Sequence, residues 1–238
     1  MQEALLAWYA EQGRDLPWRH TRDPYAVLVS EVMLQQTQVA RVLPRYREWL
    51  ERWPTARALA SAPLADVIRA WQGLGYNRRA VNLHRAAQRV AEQSWPDDLT
   101  ELPGVGRYTA DAIASFAYGR PVLPVDVNVR RVLDRTRAAF GAECAQALMD
   151  LGATVCLARV PRCGVCPLAP ACPASGRRFE PGRRQAPFEG SFRQRRGRVL
   201  RLVAEQPRSA AELDGEAVES LLRDGLVAVE DGSARLPE

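Results

Sequence analysis

The sequence predicts an all-α protein that ends in a small module of helices and one β-hairpin. Apolar residues recur at spacings of three and four in one segment after another, and Gly or Pro ends most of these segments. Before residue 226 there is no segment that alternates apolar and polar residues as a half-buried strand would. With 238 residues, the chain is long enough to bury a core and to form one or two domains.

Glycine and proline set the predicted limits of the helices. Gly13 ends the first helix, and Pro24 stands where the second can begin. Two turns rich in glycine, around Gly75 and Gly104, separate later helices. The predicted helices are residues 3–12, 25–38, 45–52, 64–71, 78–93, 107–118, 127–135, 144–155, 195–205, 210–213 and 216–224.

Residues 102–135, LPGVGRYTADAIASFAYGRPVLPVDVNVRRVLDR, predict a helix, a tight turn and a second helix. Pro103 ends any preceding helix, and Gly104 and Gly106 allow a sharp turn before the helix that begins at Arg107. The backbone N–H groups at such a helix start suit an anion, for example a DNA phosphate. An ordinary interhelical turn has the same Gly-x-Gly pattern, so this segment by itself does not decide the function.

Two carboxylates are candidates for catalysis. Glu31 shares a helical face with Val27, Leu28 and Leu34, so its carboxyl is expected to be partly desolvated and to hold a proton, as a general acid must. A glutamate at the edge of an amphipathic helix is the alternative. Asp126 precedes a helix, where it can act as an N-cap and also stay ionised beside the positive end of the helix dipole. One proton donor and one anion suit the cleavage of an N-glycosidic bond, which passes through an oxocarbenium-like sugar.

Four of the five cysteines lie within CLARVPRCGVCPLAPAC, with six, two and five residues between them. Four thiolates so close in sequence can bind one metal centre, and the spacing is compatible with iron–sulfur as well as with zinc. Disulfides are disfavoured by the odd cysteine count and the absence of a secretory leader. The candidate ligands are Cys156, Cys163, Cys166 and Cys172, and Cys144 is expected to be a buried helix residue.

Charge is distributed unevenly along the chain. All 33 basic residues are Arg, and there is no Lys. Residues 156–201 hold 11 Arg and 2 acidic residues, a net charge of +9, which suits a phosphate-binding surface or a solvated linker. Residues 202–238 have a net charge of −6. The longest apolar runs are well short of the ~18 residues that a membrane span needs, and a cytoplasmic location is expected.

Several motifs together resemble one family. The cysteine array after a helix-hairpin-helix resembles the [4Fe–4S] loop of the endonuclease III and MutY branch of the helix-hairpin-helix DNA glycosylases. The segments SEVMLQQTQV and LPGVGRYTADAI resemble the MutY adenine glycosylases in particular, and the match covers about residues 8–172. The resemblance implies two helical lobes, with residues 20–125 as a helical barrel and residues 1–19 and 126–172 as a cluster lobe. It further implies a monomer that excises adenine opposite 8-oxoguanine or guanine in double-stranded DNA.

The resemblance also implies roles for individual residues. Glu31 would protonate the adenine, Asp126 would stabilise the oxocarbenium ion, Asn128 would hydrogen-bond to that carboxylate, and Tyr108 would stand beside the sugar. Further implied residues are Arg14, Leu16 and Trp18 in the adenine pocket, Gln36 as a wedge in the duplex, and Gly104, Gly106 and Arg107 as DNA contacts. For Tyr108 and Trp18, a plain core aromatic is the alternative.

This chain departs from the family pattern at three places. Val127 stands where many relatives have Gly or Thr, and the segment between residues 137 and 145 is short, so that a supporting helix is expected to be missing. Only 66 residues follow Cys172, too few for the Nudix-like domain that reads 8-oxoguanine in many relatives. We therefore expect a short, actinobacterial-like form.

The tail is predicted to contain a basic linker, residues 173–194, and a winged-helix-like module, residues 195–238. Asp231 and Gly232 form the expected hairpin turn. The negative charge of the module argues against reading of a DNA groove and favours packing or contact with a partner.

The absence of lysine bears on the reaction. Relatives that cut the strand use a lysine Schiff base, and the position that matches that lysine is Tyr108, which cannot form an imine. A monofunctional enzyme is therefore expected. Two alternatives remain open: a thymine or uracil glycosylase acting at G:T or G:U mismatches, and a non-catalytic iron–sulfur DNA-binding regulator. The second would need a basic recognition helix, whereas residues 216–224 are acidic.

Overall fold

Helices make up most of the residues that the structure, a computed structural model, describes, namely 1–180 and 186–238. The predicted all-α architecture of the main part of the chain is confirmed. The α-helices are α1 (Gln2–Gln12), α2 (Pro24–Leu34), α3 (Val39–Arg52), α4 (Ala56–Ala60), α5 (Leu64–Ala70), α6 (Arg78–Gln93), α7 (Arg107–Phe116), α8 (Val127–Thr136), α9 (Ala145–Thr154), α10 (Phe192–Glu205) and α11 (Gly215–Arg223).

Three short strands lie within residues 208–235. β1 (Arg208–Ser209), β2 (Ala228–Glu230) and β3 (Ser233–Arg235) form an antiparallel sheet in the order β1-β3-β2. Asp231 and Gly232 have φ angles of +48° and +72°, so the predicted hairpin turn is confirmed. β1 was not expected, because a strand of two residues contains no alternation that a sequence pattern could reveal.

Two helix limits differ from the predictions by four residues or more, and α4 was not predicted. α2 ends at Leu34, four residues before the predicted end, and Gln36 has a left-handed φ of +55°. α3 begins at Val39, six residues before the predicted start, although Pro44 lies inside it. A proline within a helix removes one backbone hydrogen bond. Burial of Tyr46 and Trp49 on one face of α3 compensates for that loss.

The described residues form two compact units, and each has its own core. Residues 1–27 and 106–180 form the first unit, whose core contains Leu5, Val132 and Leu148. Residues 28–105 and 186–238 form the second unit. One core cluster of the second unit joins Ile68 and Val81 to apolar residues of the C-terminal module, namely Val199, Leu200, Val203, Ala217, Val218, Leu221, Leu226, Val227, Ala234 and Leu236.

The predicted C-terminal elements are present as α10, a 3₁₀ turn at Ala210–Glu212, α11 and the hairpin. Residues 181–185 of the predicted basic linker lie outside the described residues. The domain boundaries given above stay predictions. Within residues 1–180 and 186–238, none of the helices has the length and apolar character needed to cross a bilayer.

Candidate active site and metal centre

Glu31 lies on α2, whose residues 28–34 belong to the second unit. Glu31 is only 6% exposed, although its side chain ends in a carboxyl group. Val27 and Leu28, which share its helical face, are each 1% exposed, and Leu34 is half-buried. The predicted burial of this carboxyl group is confirmed, and burial withdraws it from bulk water.

Asp126 is the N-cap of α8 in the first unit. Its Oδ1 atom accepts hydrogen bonds from the backbone N–H groups of Asn128, at 2.9 Å, and Val129, at 2.7 Å. Its Oδ2 atom accepts a third hydrogen bond, at 2.8 Å, from the side-chain amide of Asn128. All three partners are donors, so the arrangement suits an anionic carboxylate, and it fixes the direction in which the carboxylate points.

Arg131 connects this carboxylate to the cysteine array. Its Nη2 atom donates to Oδ1 of Asn128 at 2.8 Å and to the carbonyl oxygen of Gly152 at 2.6 Å. Its Nε atom donates to the carbonyl oxygen of Cys156 at 2.7 Å. Burial lowers the pKa of Arg131. A continuous path of hydrogen bonds therefore runs from Asp126 through Asn128 and Arg131 to the first cysteine of the array.

Gly152 allows α9 to approach α8 closely beside Asn128. A Cβ atom at Gly152 would lie 2.8 Å from both the Cβ and the carbonyl oxygen of Asn128. Contacts this short do not occur between real Cβ atoms and backbone, so a larger residue would have to separate the two helices. Neither Gly152 nor Arg131 was singled out from the sequence, since their roles depend on how α8 packs against α9.

The four array cysteines line one cavity, together with Val132, Leu151 and Leu168. All four are free thiols and half-buried. Burial and the proximity of the other three thiols raise the pKa of Cys166. Cys144 is fully buried, as predicted, and lies in the 3₁₀ turn that precedes α9 rather than in the helix itself.

Arg135 forms one side of this cavity. It is 9% exposed and donates a hydrogen bond to the Sγ atom of Cys156 at 3.3 Å. It also donates to the carbonyl oxygens of Leu157, at 2.7 Å, and Ala158, at 2.6 Å. The ring of Phe179 covers its guanidinium at 3.6 Å. Arg135 therefore places a buried cation 3.3 Å from one sulfur atom of the cavity, that of Cys156.

The predicted adenine-pocket residues lie on the loop after α1, in the first unit. Leu16 and Trp18 are buried, at 6% and 8% exposure. Arg14 is bound to the buried carboxylate of Asp150 on α9 through its backbone N–H, Nε and Nη2 atoms, at 2.6 to 2.8 Å. Arg19 donates two further hydrogen bonds, at 2.6 and 2.8 Å, to the same carboxylate.

Asp150 therefore anchors this loop. Burial by itself would raise the pKa of Asp150, but hydrogen bonds from Arg19 and Arg14 outweigh burial and hold the pKa below its ordinary value. The sequence contains no local signal for this role, because both arginines are more than 130 positions away from Asp150.

The predicted DNA contacts are exposed. Gln36 is an exposed residue in the turn after α2, in the second unit. Gly104 has a φ angle of +78°, and a Cβ atom there would lie 2.8 Å from Cβ of Asn82, so the turn requires glycine. Gly106 is the N-cap of α7 and has no side chain with which to cap the helix. The Arg107 side chain is 84% exposed and pairs with Asp111 at 3.0 Å, and Tyr108 is half-buried.

Comparisons with known proteins agree with one another. Residues 29–152 match the HhH-GPD superfamily of base excision DNA repair proteins. The chain is 46% identical to an adenine DNA glycosylase of Mycobacterium tuberculosis, over 98% of this chain and 92% of that protein. It is 43% identical to the Homo sapiens adenine DNA glycosylase, over 73% of this chain and 39% of that protein. The first of these alignments spans 284 positions, more than the 238 residues of this chain, so the mycobacterial protein has residues without a counterpart here.

Among solved structures, a thermostable thymine-DNA glycosylase is similar with a TM-score of 0.66 and 27% identity, over 72% of this chain and 93% of that one. A trapped covalent intermediate of endonuclease III with DNA has a TM-score of 0.62 and 23% identity, over 73% of this chain and 93% of that one. At 23% identity, the similarity to endonuclease III shows the fold alone.

Proposed function

Because this chain belongs to the adenine DNA glycosylases of the HhH-GPD superfamily of base excision DNA repair proteins, we propose that it hydrolyses the N-glycosidic bond of adenine mispaired with 8-oxoguanine or guanine. The observation that carries this proposal is the pair of carboxylates in opposite environments. Glu31 is buried on an apolar helix face, whereas the Asp126 carboxylate accepts hydrogen bonds from three donors.

Glu31 acts as the general acid. When the bond between C1′ of the sugar and adenine breaks, the bonding electrons leave with the base, and a proton from the Glu31 carboxyl neutralises it. The adenine must first leave the base stack, because the bond cannot be reached inside the duplex. Leu16 and Trp18 provide buried apolar surface for the flipped base, and the Arg14–Asp150 ion pair fixes the loop that carries them.

Asp126 stabilises the positive charge that develops on the sugar. Its carboxylate is preoriented by Asn128 and by the start of α8, so little reorganisation is needed when the charge appears. Tyr108 stands beside the sugar. A water molecule then adds to C1′ and gives its proton to the Glu31 carboxylate, which restores the acid, and the products are free adenine and an abasic sugar. Since Tyr108 occupies the lysine position and the chain has no Lys, the strand stays intact.

We propose that Cys156, Cys163, Cys166 and Cys172 hold a [4Fe–4S] cluster. Four thiols around one cavity, beside the cation of Arg135, fit the ligand set of such a cluster. A single zinc ion bonds sulfur at about 2.3 Å and would bring the four sulfur atoms to within about 4 Å of one another. Among the described residues, no three His, Cys, Asp or Glu side chains form a group that could hold a single metal ion. When bound, the cluster supplies a rigid support for the surrounding loop, which carries the exposed residues Arg159 and Arg162.

On the DNA, the α7 N-terminus with Gly104, Gly106 and Arg107 binds a phosphate, and Gln36 inserts into the duplex beside the flipped adenine. The exposure of Gln36 and the glycine-dependent turn at Gly104 support these roles. The loop that carries Arg159 and Arg162, together with the start of α7, provides the affinity for DNA. Contacts of this kind with phosphates weaken as the salt concentration rises.

The test is single-turnover excision on duplexes that contain A:8-oxoG, A:G, G:T or G:U. We expect release of adenine from the first two duplexes and of no base from the others. The Glu31→Gln variant removes the proton and keeps the shape, so it should bind the A:8-oxoG duplex and leave the adenine in place. Excision of thymine would instead favour the activity named for the structural neighbour. Excision of adenine by Glu31→Gln at the wild-type rate would show that another group supplies the proton.

A further inference from the structure

We propose that Arg79 is the positioning residue for the turn that inserts into DNA. We call residues 35–38, which follow α2 and contain Gln36, the insertion turn, and residues 73–76, which precede α6, the glycine turn. The guanidinium of Arg79 holds the insertion turn in one conformation and ties it to the glycine turn. This inference rests on the proposed role of Gln36.

Arg79 closes the C-terminal end of α2. It lies on α6, is 8% exposed, and its Nη1 atom donates to the carbonyl oxygens of Val32 at 2.7 Å, Met33 at 2.9 Å and Gln35 at 2.7 Å. The last carbonyl groups of a helix have no partner within the helix and must be satisfied from outside. A guanidinium in this place ends α2 at Leu34 and starts the insertion turn.

The same guanidinium reaches the glycine turn. Its Nη2 atom donates to Oγ1 of Thr37 at 3.0 Å and to the carbonyl oxygens of Leu74 at 3.2 Å and Gly75 at 2.8 Å. Its Nε atom donates to the carbonyl oxygen of Tyr76 at 3.3 Å. Thr37 adds a direct link, because its hydroxyl donates to the carbonyl oxygen of Leu74 at 3.3 Å. One side chain therefore joins two turns that are separated by about 40 positions in the sequence.

Both turns contain a non-glycine residue with a left-handed backbone. The φ angle is +55° at Gln36 and +46° at Tyr76, and both residues are exposed. Such a backbone is unfavourable for a residue with a Cβ atom and persists where the surrounding structure imposes it. Hydrogen bonds from Arg79 to the carbonyl oxygens of Gln35 and Gly75, one residue before each strained position, impose it here.

The chemistry of this position calls for arginine. All seven acceptors of Arg79 are carbonyl or hydroxyl oxygens, the negative end of the α2 dipole faces the cation, and the ring of Trp71 lies 5.2 Å away. Burial lowers the pKa of Arg79 to about 10, which still leaves it charged at neutral pH. A lysine has three donors on one nitrogen and cannot reach the acceptors of both turns.

The first experiment compares Arg79→Lys with the neighbouring variant Arg78→Lys. Arg78 is a matched control, because its side chain is 67% exposed and pairs with Asp224 at 3.5 Å. Each protein is assayed in single turnover on an A:8-oxoG duplex, and on the same duplex with an abasic analogue opposite the adenine. The unpaired adenine leaves the stack without the help of a wedge.

We expect Arg79→Lys to slow excision at least about tenfold on the paired substrate and much less on the unpaired one. Arg78→Lys should excise adenine at wild-type rates from both substrates. Equal losses on the two substrates, or no loss, would overturn the inference.

A double-mutant cycle tests whether Arg79 acts through Gln36. If it does, Arg79→Lys combined with Gln36→Ala should be no slower than Gln36→Ala by itself. Effects that multiply would overturn the inference and leave the role of Gln36 intact. A Gln36→Ala variant at the wild-type rate would instead overturn the proposed role of Gln36, on which the inference depends.

A milder variant covers the case in which Arg79→Lys does not fold. Thr37→Val keeps the side-chain shape and the buried cation but removes the hydroxyl between Arg79 and Leu74. It should show the same preference for the unpaired substrate, with a smaller loss on the paired one. If Thr37→Val is folded by circular dichroism and slows both substrates equally, or neither, the insertion turn is not held in this way.

Discussion

At the scale of single residues, two aspartates of the first unit are held by different partners and should respond differently to substitution. Asp126 accepts neutral amide donors at a helix start, whereas Asp150 is bound by two guanidinium groups with its side chain 1% exposed. Removing one partner of a buried ion pair leaves the other charges uncompensated, which is more costly than the loss of the pair as a whole. We therefore expect Asp150 to contribute to stability, and we propose that Asp126 contributes to the chemistry.

We expect Asp150→Asn to lower the free energy of unfolding at pH 7 by about 3–5 kcal/mol, because Arg14 and Arg19 lose their counterion. Urea denaturation measures this loss. The pKa of Asp150 is lower in the folded protein than in the unfolded chain. Its stabilisation is therefore present above the ordinary aspartate pKa, near 4, and is lost as pH falls through the lower folded value.

Asp15→Asn is the control for that measurement, because the Asp15 side chain is 90% exposed. It should change the stability by no more than about 0.5 kcal/mol. The acid-dependent loss of stability should also be smaller in Asp150→Asn than in the wild type. A wild-type unfolding curve for Asp150→Asn at pH 7 would show that the ion pair contributes nothing.

The absence of lysine predicts the outcome of a trapping experiment. Borohydride reduces an imine between an amine and the sugar aldehyde to a stable protein–DNA adduct, but Tyr108 is a phenol and arginine does not supply a free amine. We expect no adduct, and an abasic product that stays intact until alkali or heat is added. In a chain without lysine, the N-terminal α-amino group is the remaining amine, so an adduct that survives blocking of the N-terminus would contradict a monofunctional reaction.

At the scale of elements, the close approach of α8 and α9 controls the position of Asn128. We expect Gly152→Ala to slow excision at least about tenfold while DNA binding is retained, because the new Cβ atom would lie 2.8 Å from Asn128 and shift the amide that orients Asp126. Single-turnover kinetics and a binding titration separate the two effects. Gly197→Ala in α10 is the matched control: a Cβ atom there meets open space, and alanine favours a helix. Equal rates in both variants would mean that the contact does not position Asn128.

The cysteine-lined cavity gives a prediction for the purified protein. We expect a brown protein that contains iron and sulfide, and a lower iron content and DNA affinity in Cys163→Ser and Cys166→Ser, since the loop that carries Arg159 and Arg162 would lose its support. Cys144→Ala is the control, because Cys144 lies outside the cavity lining and should leave the iron content unchanged. One zinc and no iron after anaerobic purification would contradict the cluster.

At the scale of the whole molecule, the features that the sequence could predict are those set by nearby residues. Helical periodicity and glycine turns predicted both ends of α6, and the cysteine spacing identified the four cysteines that line the cavity. The burial of Glu31 followed from its neighbours three and four positions away. The end of α2 was predicted wrongly, because it is set by Arg79, more than 40 positions later.

The same reason explains the residues that the sequence did not reveal. Arg79, Asp150 and Gly152 act on partners brought to them by packing, and an arginine, an aspartate or a glycine inside a helix is common at positions without any such role. Their functions become visible in the hydrogen bonds of Arg79 and Asp150 and in the lack of space at Gly152.

The core that Ile68 and Val81 share with the C-terminal module has a consequence for cooperativity. Two regions that bury the same apolar side chains cannot lose them independently, so residues 186–238 should unfold together with α5 and α6 rather than melt first as a loose tail. In native-state hydrogen exchange, amides of α11 should therefore reach the same opening free energy as those of α6, and Leu221→Ala should lower both alike. If Leu221→Ala lowers the protection of amides in α11 but not in α6, residues 186–238 unfold separately from α6.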